Sequence, residues 1–389
     1  MAHNDVSVEM ILQHLGEEDH ILGAVVPPIF QNSLFVHETC NVVGEAYAGA
    51  CANKETYFYS RMGNPTLHLA EQKIAALERT ERCKLFGSGM GAISAAILSS
   101  VESGCHVVGI DSLYGPTRRF IEQYLAKFGV TSTFVSGSCS DSLLDAIRPE
   151  TKLIVLESPS SLVFELQDLR RITGVAREKG IRTMIDNTYS AGILMQPHTL
   201  GVDLVVHSAT KYFGGHSDIV AGAVCGSSDL INPILTQEYE LIGGALAPFP
   251  AWLLIRGLRT LKVRLQAHQE LANQVAAFLA EQPEVERVLH VSQPDFGQRQ
   301  LYLSQMHGSG GLFSFIPRDQ NPTKIRAFVD QLQVFQRGVS WGGFESLALS
   351  LDFASEHWQH GHHLVRLYCG LESAEDLIGD LRQALPELS

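Results

Sequence analysis

The sequence predicts an α/β fold in which helices cover both faces of a mainly parallel sheet and a smaller α+β domain follows. Short, continuously apolar runs recur between residues 84 and 206, as in strands buried on both faces. Segments with helical spacing, such as 117–128 and 169–179, separate most of these runs. This alternation is typical of βα units. After about residue 255 the order changes, which indicates the second domain.

The predicted strands of the first domain are short. They cover residues 84–86, 106–110, 133–135, 153–156, 183–185 and 204–206. Before the first strand, Pro65 suits the first turn of a helix, and Leu67, Ala70, Ile74 and Leu77 share one face of that helix. In parallel sheets of this kind, ligands bind beyond the carboxyl ends of the strands.

The C-terminal part begins with a long helical segment, from about residue 250 to 281. A strand at 311–315, a helix at 324–332, a strand at 364–368 and a helix at 374–385 follow. Because 389 residues exceed the usual size of one core, we expect three parts: an N-terminal arm (1–60), a large cofactor-binding domain (61–255) and a C-terminal domain (256–389). The arm is rich in Gly, Pro and Asn, so we expect it to be irregular and to contact a neighbouring subunit.

Composition excludes several classes of function. The net charge of −13 without a basic stripe argues against nucleic acid as a partner. No apolar run is long enough to cross a membrane, and the first residues lack a signal-peptide pattern. Seven dispersed cysteines without a C-x-x-C pair indicate reduced thiols. We therefore expect a cytoplasmic protein.

A lysine follows the last predicted strand of the large domain, in Ser208-Ala209-Thr210-Lys211. Its amine can form an imine with an aldehyde cofactor, and the hydroxyls of Ser208 and Thr210 can donate hydrogen bonds to a phosphate. Taken alone, the tetrapeptide favours a solvated loop lysine. One strand earlier, Asp186 ends the apolar run at 183–185, where a carboxylate can keep a pyridine nitrogen protonated. A capping aspartate is the alternative.

A glycine-rich turn, Gly87-Ser88-Gly89-Met90-Gly91, lies between the first strand and a helix predicted at 92–101. Glycines allow close approach of the backbone, and the free N–H groups of a helix start bind anions. The spacing does not match G-x-G-x-x-G, and no Lys-Ser/Thr pair follows, so neither a dinucleotide site nor a Walker loop is indicated. A tight structural turn remains the alternative.

Further side chains can complete such a site. Tyr114 follows the 106–110 strand, where its ring can stack on a flat cofactor. Arg61 can bind phosphate through two hydrogen bonds, and Tyr59 can donate one. Arg366, in the C-terminal domain, can pair with a substrate carboxylate.

These stretches together resemble the cystathionine and methionine metabolism family of pyridoxal 5'-phosphate (PLP) enzymes, which includes cystathionine β-lyase, cystathionine γ-synthase, cystathionine γ-lyase and methionine γ-lyase. Ten stretches match in the family's order: YSRMGNPT (59–66), GSGMGA (87–92), YGPT (114–117), LESPSS (156–161), IDNTYSAG (185–192), HSATKYFGGHSD (207–218), RGLRTLKVR (256–264), GSGGLFSF (308–315), VSWGGFESL (339–347) and LVRLYCGLE (364–372).

The resemblance implies a fold of the aspartate-aminotransferase type (fold type I) and a homotetramer of two tight dimers with active sites shared across each dimer. It implies that Lys211 binds PLP and shuttles protons, with Tyr114 as a second catalytic group that stacks on the ring. It implies that Arg366 and Ser340 hold the substrate carboxylate. The other implied cofactor-binding residues are Asp186 at the pyridine nitrogen and, at the phosphate, Gly89, Met90, Ser208, Thr210, and Tyr59 and Arg61 from the neighbouring subunit.

The departures from the family pattern concern the substrate. Ser161-Leu162, where many members have Asn-Pro, and the stretch 340–343 resemble bacterial cystathionine β-lyases. Val339 resembles methionine γ-lyase, whereas Pro116 replaces a cysteine common in those enzymes. The segment 351–363 is short and rich in histidine, but its spacing defines no metal ligand set.

The expected function is therefore elimination of the side-chain substituent of an L-amino acid, giving a 2-keto acid and ammonia, on a thioether such as cystathionine. The alternative is a γ-lyase or γ-replacement enzyme acting on a homoserine-type substrate: methionine, cystathionine or an O-substituted homoserine such as canavanine. An aminotransferase is a more distant possibility. A non-catalytic PLP-binding module would have no use for a proton shuttle at Lys211, and a nicotinamide dehydrogenase is disfavoured by the glycine spacing.

Overall fold

The computed structural model describes residues 6–51 and 56–389. Residues 1–5 and 52–55, which belong to the predicted N-terminal arm, lie outside the described residues.

A seven-stranded sheet forms the centre of the large domain. Its strands are β1 (Arg82–Phe86), β2 (His106–Ile110), β3 (Thr131–Val135), β4 (Thr151–Glu157), β5 (Arg182–Asp186), β6 (Leu204–His207) and β7 (Gly222–Gly226), in the spatial order β1-β7-β6-β5-β4-β2-β3. β2 to β6 pair in parallel, and β7 runs antiparallel to both of its neighbours. All six predicted strands are present. β7 was missed because glycines flank its short apolar run.

Helices surround this sheet. They are α1 (Val8–Gln13), α2 (Cys40–Cys51), α3 (Pro65–Leu77), α4 (Gly89–Leu98), α5 (Gly115–Arg119), α6 (Ser140–Asp145), α7 (Leu169–Glu178), α8 (Ser228–Ile234), α9 (Glu240–Ile242) and α10 (Pro248–Arg259), with π turns at Phe120–Tyr124 and Leu235–Tyr239 and 3-10 turns at Ile21–Gly23, Leu125–Phe128 and Pro197–Leu200. α3 begins at Pro65 as predicted, and the Asn64 side chain accepts a hydrogen bond from the Thr66 N–H.

Two predictions about helices were wrong. The first sixty residues are not uniformly irregular, because α1 and α2 form there. The Ser7 hydroxyl caps α1, and Ile11 and Leu12 are buried. The predicted helix at 250–281 is two helices, α10 and α11 (Leu261–Ala280), which meet at Thr260, where the backbone leaves the helical region (φ −104°, ψ 4°).

The C-terminal part carries a second sheet of five strands. They are β8 (Val285–Leu289), β9 (Leu312–Pro317), β10 (Gln336–Arg337), β11 (Leu347–Asp352) and β12 (His363–Tyr368), in the order β10-β11-β12-β9-β8. The helices here are α12 (Arg299–Gln305), α13 (Pro322–Gln331) and α14 (Ala374–Ala384), followed by a 3-10 turn at Leu385–Leu388. The predicted strands and helices are present, and strands β8, β10 and β11 and helix α12 are additional.

A separate apolar core supports this second sheet, and its buried residues all follow residue 270. The main core joins the first sheet to one face of the second. The boundary near residue 255 remains our proposal. Within residues 6–51 and 56–389, no helix is both long and apolar enough to span a membrane.

Candidate active site

A cavity of about 310 Å³ lies beyond the carboxyl ends of β4, β5 and β6, beside the N-terminus of α4 and against the second sheet. Parallel strands bring the residues that follow them to one edge of the sheet. Ten of the predicted site residues line it: Gly89, Met90, Tyr114, Ser161, Asp186, Ser208, Thr210, Lys211, Val339 and Arg366.

Lys211 extends into this cavity from the turn after β6. Its Nζ donates a hydrogen bond to the Ser340 hydroxyl, at 2.5 Å, and lies 5.7 Å from the centre of the Trp341 ring. Burial, and then the nearby Arg366 guanidinium, lower the pKa of Lys211 to about 8. The neutral, nucleophilic amine is therefore about a tenth of the population at pH 7, far more than for an ordinary lysine.

Asp186 ends β5 and faces the same cavity. Its Oδ1 accepts hydrogen bonds from the Thr188 N–H (3.0 Å) and the Thr188 hydroxyl (2.5 Å), which fix the carboxyl group. Burial raises the pKa of Asp186, whereas the Thr188 bonds, His207 and Lys211 act in the opposite direction. A cationic ring nitrogen beside this carboxyl would favour its charged form.

A buried polar network lies beside Asp186. Glu78 Oε1 is 2.7 Å from His207 Nε2 and accepts a hydrogen bond from the Asn187 amide, also at 2.7 Å. His207 ends β6 and Asn187 follows β5, and all three side chains are buried. The network thus ties helix α3 to the two strands that present Asp186 and Lys211.

The glycine-rich turn forms a close contact at the start of α4. Ser88 caps the helix by accepting a hydrogen bond from the Gly91 N–H, so α4 begins three residues earlier than predicted. The N–H groups of Gly89 and Met90 lie in the first turn and have no carbonyl partner within the helix. A Cβ atom on Gly89 would lie 2.9 Å from Ser208 Oγ. The glycine therefore lets these backbone donors lie close to the Ser208 hydroxyl.

Ser208 and Thr210 are also held by the backbone around them. The Ser208 N–H donates to the Thr188 hydroxyl at 2.8 Å. The Thr210 hydroxyl donates to the Ala221 carbonyl (3.2 Å) and accepts from the Ala221 N–H (3.0 Å). Both hydroxyls line the cavity, and that of Thr210 would have to exchange the bond to the carbonyl for one to a phosphate.

The opposite wall contains Arg366 on β12 and Val339. Arg366 Nη2 donates to the Val339 carbonyl at 2.9 Å. Burial lowers the pKa of Arg366 to about 10, so the guanidinium stays charged at neutral pH. Tyr114 is 45% exposed, and burial of the remainder, together with Asp186 and Glu157, raises the pKa of its phenol. A charged guanidinium and a protonated phenol thus line the cavity that Asp186 faces.

The chain matches the model of the family described as "Cys/Met metabolism PLP-dependent enzyme" over residues 9–386. The chain belongs to this family. It is 36% identical over 387 residues to L-methionine gamma-lyase of Porphyromonas gingivalis, covering 96% of each chain. It is 35% identical to the cystathionine beta-lyase of Bordetella avium, covering 97% of each. The crystal structure of metB from Corynebacterium glutamicum superposes with a TM-score of 0.92 at 30% identity over the whole of both chains.

These findings confirm the expected family, the type I fold and the dependence on PLP. The cavity also fits the cofactor on its own geometry. A reactive amine (Lys211), a buried carboxyl (Asp186) and a set of anion donors at Gly89, Met90 and Ser208 occupy three sides of it. PLP has three polar groups, and each has a counterpart here: its aldehyde matches the Lys211 amine, its ring nitrogen matches the Asp186 carboxyl, and its phosphate matches the anion donors.

Two predicted site residues lie elsewhere in this single chain. Arg61 Nη1 donates to the Glu240 carbonyl at 2.8 Å, and its guanidinium lies over the Tyr59 ring at 5.6 Å. Tyr59 pairs with Leu34 through an isolated bridge. Neither side chain lines the cavity, so their predicted role depends on a second copy of the chain.

The histidine-rich segment 351–363 makes side-chain contacts with other parts of the chain. Ser355 donates a hydrogen bond to the Asp111 carboxylate, and Arg287 Nη1 lies 3.1 Å from His360 Nε2. Among the described residues, no group of three or more His, Cys, Asp or Glu side chains is placed to hold a metal ion.

Sequence reasoning missed several residues that the structure brings to this site. Thr188 fixes Asp186, Trp341 packs beside Lys211, and Glu157 lines the cavity next to Tyr114. Thr188 and Trp341 lie within stretches that resemble the family, but the motifs alone gave them no role. Glu157 had a usable signal, because it is an acidic residue directly after a buried apolar strand, as Asp186 is.

Proposed function

We propose that this enzyme eliminates the side-chain substituent of an L-amino acid to give a 2-keto acid and ammonia, acting as a carbon–sulfur lyase on a thioether such as cystathionine. The observation that carries the proposal is that Lys211, Asp186, Tyr114 and Arg366 converge on one cavity. The names of the relatives, L-methionine gamma-lyase and cystathionine beta-lyase, agree with this reaction class.

Bound PLP supplies an aldehyde for imine formation and a ring that accepts the electron pair released at Cα. Lys211 would hold the cofactor through its Nζ, and the same amine, when free, would be the base for the Cα proton. The lowered pKa of Lys211, about 8, suits this base. Ser340 Oγ, which accepts a hydrogen bond from Nζ, orients the amine between these tasks.

The remaining residues orient the substrate and cofactor. Arg366 stays charged and binds the substrate carboxylate. Asp186, fixed by Thr188, would hold the proton of the ring nitrogen. Tyr114 would supply a ring to stack on the cofactor, and its raised pKa keeps the phenol protonated and able to donate to the departing group. Gly89, Met90, Ser208 and Thr210 would hold the phosphate.

β-Elimination is the preferred reaction, supported by Ser161 in the cavity wall and by the stretch 340–343. γ-Elimination or γ-replacement on a homoserine-type substrate is the second candidate. Val339 supports it, because a valine here resembles methionine γ-lyase and this residue lies in the cavity wall. In that reaction a second proton must leave Cβ, with Lys211 or Tyr114 as its carrier.

The site is completed by a neighbouring subunit in our proposal, through Tyr59 and Arg61, in a homotetramer. The segment around them supports this, because many of its large apolar side chains are exposed: Leu22, Val25, Leu34, Val36 and Tyr47. We also propose a cytoplasmic location, in keeping with the unpaired thiols of the six cysteines whose side chains are described. Cell fractionation checks the location.

The deciding experiment incubates the PLP-loaded enzyme with cystathionine and identifies the keto acid released. Pyruvate with homocysteine establishes β-elimination, and 2-oxobutyrate with cysteine establishes γ-elimination. No product from cystathionine, methionine and O-substituted homoserines would contradict the proposal.

The matched control is Lys211→Ala. We expect it to lose turnover by at least about 10³-fold, because both the anchoring amine and the base are removed. Turnover retained in Lys211→Ala would contradict the assignment of this residue.

A further inference from the structure

Glu157, the last residue of β4, binds two parts of the site with one buried carboxyl group. Its Oε2 accepts a hydrogen bond from the backbone N–H of Tyr114 at 2.7 Å. Its Oε1 lies 2.5 Å from the hydroxyl of Ser161. The carboxyl also lines the cavity. It therefore touches both the residue expected to stack on the cofactor and one expected to face the substrate.

These two contacts connect segments that are far apart in sequence. Tyr114 lies at the N-terminus of α5, in the turn after β2, whereas Ser161 lies in the turn after β4. The neighbouring Leu162 has a positive φ of 65°, a conformation that a branched side chain adopts only when its surroundings impose it. Glu157 therefore connects the turn after β2 to the turn after β4 through two hydrogen bonds.

Glu157 also lies next to another buried acid. It pairs in register with Asp186 on the adjacent parallel strand. Two carboxylates at such a position cannot both be charged without a large cost in a low-dielectric site, so one of them keeps a proton.

The surroundings decide which acid keeps the proton. Asp186 receives two hydrogen bonds from Thr188 and lies near His207 and Lys211, which favour its charge. For Glu157, burial and then Asp186 raise the pKa to about 8. The hydrogen bonds to Ser161 and to the Tyr114 N–H act in the opposite direction, but both of these partners are neutral. Arg366 and Lys211 lie across the cavity, the first bonded to the Val339 carbonyl and the second to Ser340. The proton therefore belongs on Glu157.

The position of that proton follows from the hydrogen bonds. Oε2 already accepts from the Tyr114 N–H, so the proton of the acid belongs on Oε1. The Ser161 hydroxyl donates to Oε1 when the carboxyl is charged, and this 2.5 Å bond reverses when the carboxyl is protonated, so that Oε1 donates to Ser161 Oγ. A serine hydroxyl that accepts this bond can turn its own hydrogen elsewhere. Because Ser161 lines the cavity, that hydrogen can be donated to a bound ligand.

We propose that Glu157 is a positioning residue, which fixes the backbone of Tyr114 and, as the protonated acid, directs the Ser161 hydroxyl toward the ligand. This inference rests on the proposed function only in taking PLP and an amino acid as the ligands. It assigns a role to a residue that contacts two site residues and acts through them.

The test compares Glu157→Gln with Glu157→Ala. A glutamine can accept from the Tyr114 N–H and donate its amide N–H to Ser161, which reproduces the hydrogen bonds of a protonated glutamate. We therefore expect kcat/KM within about 3-fold of wild type for Glu157→Gln. We expect Glu157→Ala to lose roughly 10- to 100-fold in kcat/KM, because a buried N–H loses its partner. The visible spectrum and the Kd of bound PLP should follow the same order.

Ser161→Ala tests the second contact. In the wild-type background we expect a loss that falls mainly on KM, and in the Glu157→Ala background almost no further loss, since the hydroxyl is no longer directed there. The matched control is Glu165→Gln. Glu165 is another part-buried acid that binds the same turn, through Ser112 at 3.2 Å, without lining the site cavity, and we expect wild-type kinetics and spectrum.

Three results would overturn the inference. If Glu157→Gln lowers kcat/KM as much as Glu157→Ala does, the charged carboxylate and not the protonated acid is required. Glu157→Ala with a wild-type spectrum, PLP affinity and kinetics would remove the role. If Glu165→Gln loses as much kcat/KM as Glu157→Ala, the effect is a general one of removing a buried acid. Since PLP affinity and spectrum need no turnover, these results stay distinguishable from a failure of the proposed reaction.

Discussion

At the scale of single residues, the site depends on unusual protonation states created by burial. Lys211, Asp186 and Arg366 line one cavity, and burial, Arg366 and Asp186 all influence the pKa of Lys211. The Lys211 amine loses its proton readily. The protonation state of the Asp186 carboxyl depends on its hydrogen bonds from Thr188 and on the neighbouring acid Glu157. Such opposed shifts are typical of sites that move protons.

The state of Lys211 leads to a prediction about cofactor capture. Burial and Arg366 lower the pKa of Lys211 to about 8. The fraction of Lys211 in the reactive neutral form therefore increases with pH, reaches one half near pH 8 and approaches one above about pH 9. We expect the rate at which the apoenzyme captures PLP to fall about tenfold per pH unit below 8 and to level above about 9. Stopped-flow absorbance measures this rate.

Lys211→Ala serves as the blank for capture by other lysines, and borohydride reduction followed by peptide mapping identifies the labelled residue. A capture rate that continues to increase up to pH 10 would show that Lys211 has an ordinary lysine pKa in solution.

At the scale of elements, the position of α4 against β7 sets the geometry of the predicted phosphate site. A Cβ atom on Gly222, the first residue of β7, would lie 2.1 Å from the Ser88 carbonyl oxygen. Because that neighbour is backbone, a side chain there must move the helix start itself. The glycine therefore decides where the N–H groups of Gly89 and Met90 lie.

We expect Gly222→Ala to lower the free energy of unfolding by about 1–3 kcal/mol, the cost of overpacking, and to weaken PLP binding because α4 is displaced. Denaturant unfolding and a PLP titration monitored by absorbance measure the two effects.

The control for this change is Gly174→Ala in α7, where no atom lies within 4 Å of the added Cβ. This variant should be neutral or more stable by up to about 1 kcal/mol, from helix propensity, with unchanged PLP affinity. Unchanged PLP affinity in Gly222→Ala would mean that the helix start does not set the phosphate site.

At the scale of the whole molecule, the single chain leaves part of the predicted site outside its cavity. Arg61 and Tyr59 contact each other near the Glu240 carbonyl. The adjacent N-terminal segment exposes apolar side chains, among them Leu22 and Val36, which a monomer rarely leaves uncovered. A two-fold dimer would bury such a surface and bring each Arg61 to the other subunit's cavity.

This arrangement predicts that two inactive variants restore activity when mixed. Arg61→Ala and Lys211→Ala should each have little activity as pure proteins. After joint unfolding and refolding, hybrid dimers contain one site with both native residues, and we expect about a quarter of wild-type activity for random pairing.

Refolding each variant separately before mixing is the control and should restore nothing. Absence of activity in the refolded mixture, with dimers demonstrated by light scattering, would place Arg61 and Lys211 in the same subunit's site or remove Arg61 from the site.

The fold was largely predictable because its information is local. Buried parallel strands such as β4 and β6 are continuous apolar runs, and Asn64-Pro65 is a standard helix start. The errors occurred where local signals are weak. α2 contains two glycines, and the break between α10 and α11 at Thr260 has no proline or glycine to mark it.

The sequence by itself determined the family, the cofactor and the chemical identity of Lys211, Asp186 and Arg366, since these follow from residue types in a fixed order. Only the tertiary structure revealed that Glu157 joins Tyr114 to Ser161 and that Thr188 fixes Asp186. The bond between Glu157 and the Tyr114 N–H connects the ends of two strands, and distances between strands depend on register and packing. Thr188 and Ser161 lie close in sequence to their partners, but which polar group each one binds depends on how the turn after the strand is packed. No local pattern of residues records them, because the same side chains could satisfy their hydrogen bonds with other partners or with water.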